Sequence, residues 1–224
     1  MTGPHTRIAV LGRLGVFPLV RLPLAARRIL AFLAIRGEPV SRSSASAHLW
    51  ADLPEDIGRG NLRRALWQLP RGWVVGVSDE LRLEAQTDLA DAHRLVAGAL
   101  KGERLCFDDL NLLSNDILPD WHEEWVLPAN EDFHALRVQA LEAACRSLLA
   151  AGEFALAARA GMCALAAEPL RESAAEALID AHLAQRNRYA AMQCFRALEK
   201  RLKSELGVKP QPTLVQRIET IGRG

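Results

Sequence analysis

No lysine precedes Lys101. All four lysines (Lys101, Lys200, Lys203 and Lys209) lie later, while residues 1–77 carry eleven arginines against four acids, Glu38, Asp52, Glu55 and Asp56. That stretch is +7 within a chain of 224 residues and net charge +1, so residues 78–224 carry −6. A basic part joined to an acidic part points to different partners for each. Arginine's planar fork suits phosphate and guanine. An arginine-only composition also follows from a GC-rich genome.

Long apolar runs are missing as well. The longest, Ile29 to Ile35, is far below the ~20 residues that span a bilayer. Arg7 and Arg13 interrupt the early apolar residues, which argues against a signal peptide. The expectation is a soluble, cytoplasmic protein with no membrane partner. Cysteines are few, and Cys106, Cys145, Cys163 and Cys194 form no C-x-x-C pair. Each sits in an apolar stretch, so all four are expected to be buried free thiols.

Catalytic signatures are also lacking. His5, His48, His93, His122, His134 and His182 form no H-E-x-x-H or Cys/His ligand pattern. Gly12-Arg13-Leu14-Gly15 is followed by no Gly-Lys-Ser/Thr, and there is no Gly-x-Ser-x-Gly. Glu123, Glu124, Glu131 and Asp132 fall at helix beginnings, where they favour the helix dipole. The expectation is no enzyme, no metal and no cofactor. Half the residues are hydrophobic and a quarter charged, which supports a folded core rather than disorder.

What is present begins with strands. Arg7 to Leu11 reads as one, Gly12 to Gly15 as a turn and Val16-Phe17 as another. Leu24 to Ala34 is a run of helix formers closed by Gly37 and Pro39. Ser41 caps a second helix, Arg42 to Trp50. Asp52-Leu53-Pro54-Glu55 resembles a capping box opening a third helix that runs to about Leu69, with Leu62, Ala65, Leu66 and Leu69 as its apolar stripe. Gly58 and Gly60 weaken that helix by ~1 kcal/mol each. After Pro70 and Gly72, Trp73 to Val77 and Leu81 to Glu84 form a hairpin around Ser78-Asp79-Glu80. Strands, three helices and a hairpin make a winged helix-turn-helix, with the third helix as recognition helix and the hairpin as wing.

From Asp88 the pattern is helical. Asp88 to Leu100 is one helix, residues 102–120 an irregular acidic connection, and Pro119 to Val126 begins a compact helical region. Leu148, Gly152 and Phe154 recur as Leu183, Asn187 and Tyr189 at an offset of 35, close to the ~34-residue tetratricopeptide period. Each ring is expected to pack between small residues, Ala157 and Ala158 in one copy, Ala190 and Ala191 in the other. The fold class is thus mainly α: an N-terminal winged helix-turn-helix (α+β, residues 1–95), then an all-α tetratricopeptide-like domain (residues 103–224).

With the leucine stripe against the core, Gly60, Arg63, Arg64, Trp67 and Arg71 fall on the far side of the third helix, flanked by Asn61 and Gln68. Arginine forks onto guanine, and Asn or Gln onto adenine. Arg63, Arg64, Asn61, Gln68 and Trp67 are the candidates for base or groove contact. Arg59, at the helix start, is placed for phosphate. Arg27, Arg28, Ser41 and Arg42 are candidate phosphate contacts, Ser41 through its helix N-terminus. The hairpin tip is not basic, and Arg82 alone reaches toward the minor groove or backbone.

These residues resemble the Streptomyces antibiotic regulatory protein family, which joins an OmpR-like winged helix to a bacterial transcriptional activator domain. The likeness rests on Ile8 to Gly12, Arg28 to Ala34, Leu49-Trp50, Asn61 to Leu69, Trp121, Trp125, Gly152-Glu153-Phe154, Glu168 to Glu172 and Glu205 to Pro210. It implies a regulator that binds direct repeats of double-stranded DNA near a promoter and recruits RNA polymerase. In this sequence the loop that faces polymerase in the family carries Asp52, Glu55 and Asp56. Asn187 replaces a Gly usual between helices. The chain ends at Gly224, so the added ATPase or sensor domains of larger relatives are expected to be absent. The reading is a DNA-binding regulator of activator type, two copies on repeated half-sites. The rival is a protein-interaction adaptor whose winged helix no longer reads DNA, motivated by the short acidic wing and the helix glycines.

Overall fold

The computed structural model describes residues 6–222; His5 lies outside them. The chain is predominantly helical and divides into two compact units. The first comprises residues up to His93 together with Asn115–Phe133, the second Arg94–Ser114 with His134 onward.

In the first unit, β1 (Arg7–Ala9) pairs antiparallel with β2 (Gly15–Phe17) and parallel with β6 (Gln86–Thr87). Helix α1 (Leu24–Arg36) lies at its centre: every residue from Ile29 to Ala34 is buried. The longest apolar run in the sequence is therefore a helix covered on all sides, which is what an all-round apolar helix requires. β3 (Val40–Ser41) leads into α2 (Arg42–Leu49), and the Ser41 hydroxyl accepts from the Ser44 amide at 3.1 Å, the local cap its sequence implies. Helix α3 (Glu55–Trp67) starts at Glu55. Pro54 holds the cap position without a side-chain hydrogen bond, so the capping box expected from Asp52 does not form. Leu62 and Ala65 are buried, with Leu66 and Leu69 half-buried beside them. Gly58 has a packing reason: a Cβ there would stand 2.7 Å from the Ser46 hydroxyl and 3.6 Å from the Trp50 Cβ, where α2 and α3 pack against each other. β4 (Val74–Val77) and β5 (Glu80–Leu83) form the hairpin, which β3 joins through β5.

Helix α4 (Asp88–Leu100) begins on a buried carboxylate. Asp88 accepts from the amides of Val10 at 2.8 Å and Leu11 at 3.0 Å, which ties the helix start to the end of β1. Burial pushes the carboxyl of Asp88 up, against the pull of those N–H donors.

The chain returns to the first unit after α5 (Phe107–Leu113). Leu118 donates to the Val10 carbonyl at 2.9 Å, and Gly12 to that of Asp116 at 2.8 Å. Trp125 is buried edge-on against Phe32, with ring centroids 5.3 Å apart. Trp121 and Trp125 thus pack in the first unit, although the sequence reading assigned them to a helical domain beginning at 103. Nothing local signals this, because the pairing joins residues about a hundred positions apart.

The second unit holds α6 (Leu127–Ala150) from His134 on, α7 (Phe154–Ala167), α8 (Glu172–Ala184), α9 (Arg188–Arg201) continued by a π-helical turn at Leu202–Leu206, and α10 (Pro212–Gly222). Helix α7 packs on α8 and α8 on α9, joined by short turns. α7 and α8 approach through small residues: a Cβ on Gly161 would meet Leu178 Cβ at 3.0 Å and Cys145 Sγ at 3.3 Å. Ala175, Ile179, Ala191, Phe195, Leu198, Leu202, Leu214 and Ile218 form one core.

The repeat is real, but its register differs by one. Gly152 (φ +78°) and Arg186 (φ +59°) hold the same left-handed turn position. Glu153 donates to Leu148 O as Asn187 donates to His182 O, so the structural period is 34 rather than 35 residues. Phe154 and Tyr189 are therefore not equivalent, and neither ring packs between alanines: Phe154 is 39% and Tyr189 74% exposed. Ala157 and Ala191 are the matched positions, both fully buried. Cys106 also departs from expectation. It is exposed at the start of α5, where its amide donates to Asp109 at 2.8 Å. Cys145 and Cys163 are buried, and burial pushes the thiols of Cys145 and half-buried Cys194 up to about 11.

Candidate nucleic-acid interface

Helix α3 presents most of the residues singled out by its periodicity. Arg63, Arg64, Trp67 and Gln68 are exposed, and Asn61 is half-exposed. Arg71 is exposed in the turn that follows. Trp67 is 85% exposed, so it is not tucked under the hairpin. No carboxylate or other partner engages Arg63, Arg64 or Arg71 among the described residues. Around Gly60 there is open space, and the helix backbone is bare at that point of its outer face.

Beside this face lies a groove of about 510 Å³ between the end of α3 and the hairpin. Leu66, Val74 and Leu81 contribute apolar lining, and Arg42, Arg63, Trp67 and Arg71 contribute the rest of the chemistry. Gly76 makes room for Arg42, whose guanidinium a Cβ at that position would strike. Sequence reasoning named Arg42 as a candidate phosphate contact. It missed the juxtaposition with β4, because a strand glycine carries no sign of which side chain crosses it. A groove with an apolar floor and arginine edges fits a sugar–phosphate strand, sugar below and phosphate on the guanidinium groups.

Other candidates are placed differently. Arg28 is half-buried, pairs with Glu123 at 2.6 Å and lies over the Trp50 ring, 5.9 Å from its centroid. It belongs to the packing of residues 115–133 rather than to this face. Arg59 pairs with Glu55 at 2.7 Å one turn earlier, both exposed. Arg82 pairs with Glu84 at 2.6 Å on the hairpin. Ser41 is occupied as a cap. Arg27 is exposed. Asp52, Glu55 and Asp56 are all exposed around the start of α3, with Leu53 and Ile57 exposed among them.

Among the described residues, no three His, Cys, Asp or Glu side chains are grouped to hold a metal. No helix among them is long and apolar enough to cross a membrane.

The architecture defines a class: a strand-bordered three-helix unit with a hairpin, joined in one chain to a unit of packed helices. Residues 76–221 match the Bacterial transcriptional activator domain, and the chain belongs to that family. It is a family of transcription regulators rather than of enzymes. The fold is similar to that of Mycobacterium tuberculosis EmbR, solved in complex with a low affinity phosphopeptide. The TM-score is 0.70 at 23% identity, over 98% of this chain and 65% of that one. This chain thus spans about two thirds of the length of that relative. No curated protein matches it.

Proposed function

We propose that this chain is a sequence-specific, DNA-binding transcriptional activator. Its first unit is an OmpR-like winged helix in which α3 enters the major groove and the β4–β5 hairpin is the wing. The observation that carries this reading is the unpaired arginine cluster of α3 and the turn after it, with Arg63, Arg64 and Arg71 free of carboxylates near an exposed Trp67. Family membership supports the regulatory role. Arg63, Arg64, Asn61, Gln68 and Trp67 meet base edges, while Arg42 and Arg71 hold the strand in the groove beside them. Arg59, Ser41 and Arg82 touch phosphate only by leaving or sharing their present partners. The protein works in the cytoplasm. Two copies occupy repeated half-sites, since one short helix reads few base pairs. Asp52, Glu55 and Asp56 form an acidic exposed stretch complementary to a basic surface of RNA polymerase.

The test is capture of sheared genomic DNA by the full chain at ~150 mM salt, where nonspecific phosphate binding is weak. An Arg63→Ala/Arg64→Ala chain of unchanged melting temperature runs in parallel. Enrichment at discrete sites upstream of genes, lost in the variant, is the expected result; a flat profile for both overturns the reading. One observation favours the adaptor instead: the hairpin tip is acidic and Arg82 is neutralised by Glu84. An adaptor shows little salt-dependent duplex binding and keeps its partner when Arg63 and Arg64 are removed.

A further inference from the structure

Five of the six candidate base-contacting or flanking side chains on the outer side of α3 and its following turn end in hydrogen-bonding groups. Arg63, Arg64 and Arg71 carry guanidinium donors, and Asn61 and Gln68 carry amides. Such groups recognise bases through the nitrogen and oxygen atoms on the base edge, or the backbone through its phosphates. Trp67 is different. It is a large apolar ring with a single N–H donor, and it is 85% exposed. The other four tryptophans, Trp50, Trp73, Trp121 and Trp125, are each buried or half-buried. No ring or guanidinium covers Trp67 among the described residues. Leaving such a ring in water forgoes the large burial an aromatic side chain offers, and points to a contact made in a complex.

Helical spacing sets Trp67, the last residue of α3, one turn after Arg63 and Arg64. When those two arginines reach base edges, the indole lies beside them in the same groove. The major-groove edges of the base pairs carry one apolar group, the 5-methyl of thymine. A ring wedged between base steps acts from the minor groove, which a helix lying in the major groove does not address. An indole N–H on a phosphate would leave the ring wet. Within the major groove, contact with the thymine methyl dries the ring and uses its apolar chemistry.

We propose that Trp67 is a specificity-determining residue that reads thymine, packing its indole on the 5-methyl group within the site bound by α3. The inference rests on the DNA-reading function proposed above. The test takes a duplex that the full chain selects from random-sequence DNA and replaces each thymine in turn by deoxyuridine. That change deletes the methyl and leaves base pairing intact. The full chain is expected to lose about fourfold in affinity at a thymine under α3, the worth of one methyl group taken out of water. Trp67→Ala is expected to bind the unmodified duplex more weakly and to ignore deoxyuridine at that position. Trp67→Phe is expected to keep part of the discrimination. The side chain is exposed, so each variant keeps its melting temperature. A flat deoxyuridine scan with the full chain, or a loss that Trp67→Ala shares, overturns the assignment even though a sequence was selected. Failure to select any sequence overturns the DNA-reading function itself.

Discussion

Two groups of arginines differ in how they are held. In the second unit, Arg146, Arg171 and Arg217 are tied to carboxylates. Arg171 reaches Glu142 at 2.5 Å and Glu168 at 3.0 Å, Arg146 shares Glu142 at 3.2 Å, and Arg217 holds Glu176 and Asp180. On α3 and the turn after it, Arg63, Arg64 and Arg71 face solvent without a carboxylate, although Glu55 and Asp56 stand in the same helix. Unpaired, these cations are available to the phosphates and base edges of the DNA complex proposed above. Surface exposure alone does not separate the two groups, since Arg146 is 59% exposed at its side chain and still paired. Pairing does.

This contrast can be broken by substitution. The largest effect is expected from Arg171→Ala, which leaves Glu142, 6% exposed at its side chain, with a weaker set of partners. Urea denaturation should show about 2–3 kcal/mol of lost stability, while the folded fraction binds DNA as before. Lost DNA binding with stability intact would reverse the roles assigned to the two units. Arg64→Ala should do the converse, costing about 1–3 kcal/mol at a selected duplex with no change in melting temperature. Arg71→Ala should weaken all sequences alike and lower the salt-dependence slope by about 1, as removal of a phosphate contact does. Arg59→Ala, which breaks only an exposed pair with Glu55, should shift stability by less than about 0.5 kcal/mol.

A smaller test concerns pH. His182, in the second unit, has a buried Nδ1 without a hydrogen-bond partner, and burial holds its pKa below the usual histidine value. The unfolded chain therefore binds a proton at this histidine that the folded chain refuses, so the contribution of His182 to stability falls as pH drops through the ordinary histidine range. His182→Gln should reduce the loss of stability in denaturation curves recorded from neutral pH down to about pH 5, leaving the share that His93, also held low by burial, contributes.

Much of this was legible locally. Ser41 caps α2 because a hydroxyl before a helix satisfies an amide three residues on, and α4 runs over the span its apolar pattern indicates. The outer face of α3 follows from 3.6-residue periodicity once the leucine stripe is set inward. What sequence could not show depends on distant partners. Arg28 is drawn away from the candidate interface by Glu123, a residue of the returning segment. Gly58 looks like a flaw in α3 until Ser46 is seen against it. The repeat was misregistered because Phe154 and Tyr189 are alike as rings, whereas the turn geometry equates Gly152 with Arg186, an arginine in a left-handed conformation that no composition rule suggests.

The return of residues 115–133 to the first unit has a consequence for modularity. The chain leaves that unit within α4, comes back after α5 and leaves again within α6, so no single cut separates the two units. A fragment ending near residue 95 would keep α1, α2 and α3 but lose Trp125 from Phe32, Glu123 from Arg28 and the strand-like pairing of Leu118 with Val10. Its apolar centre would be open to water and inclined to aggregate. Gene fusions or shuffled chains that treat the N-terminal ninety-odd residues as a portable cassette would inherit that wound, whereas an insertion of the whole segment through Phe133 would carry its own cover.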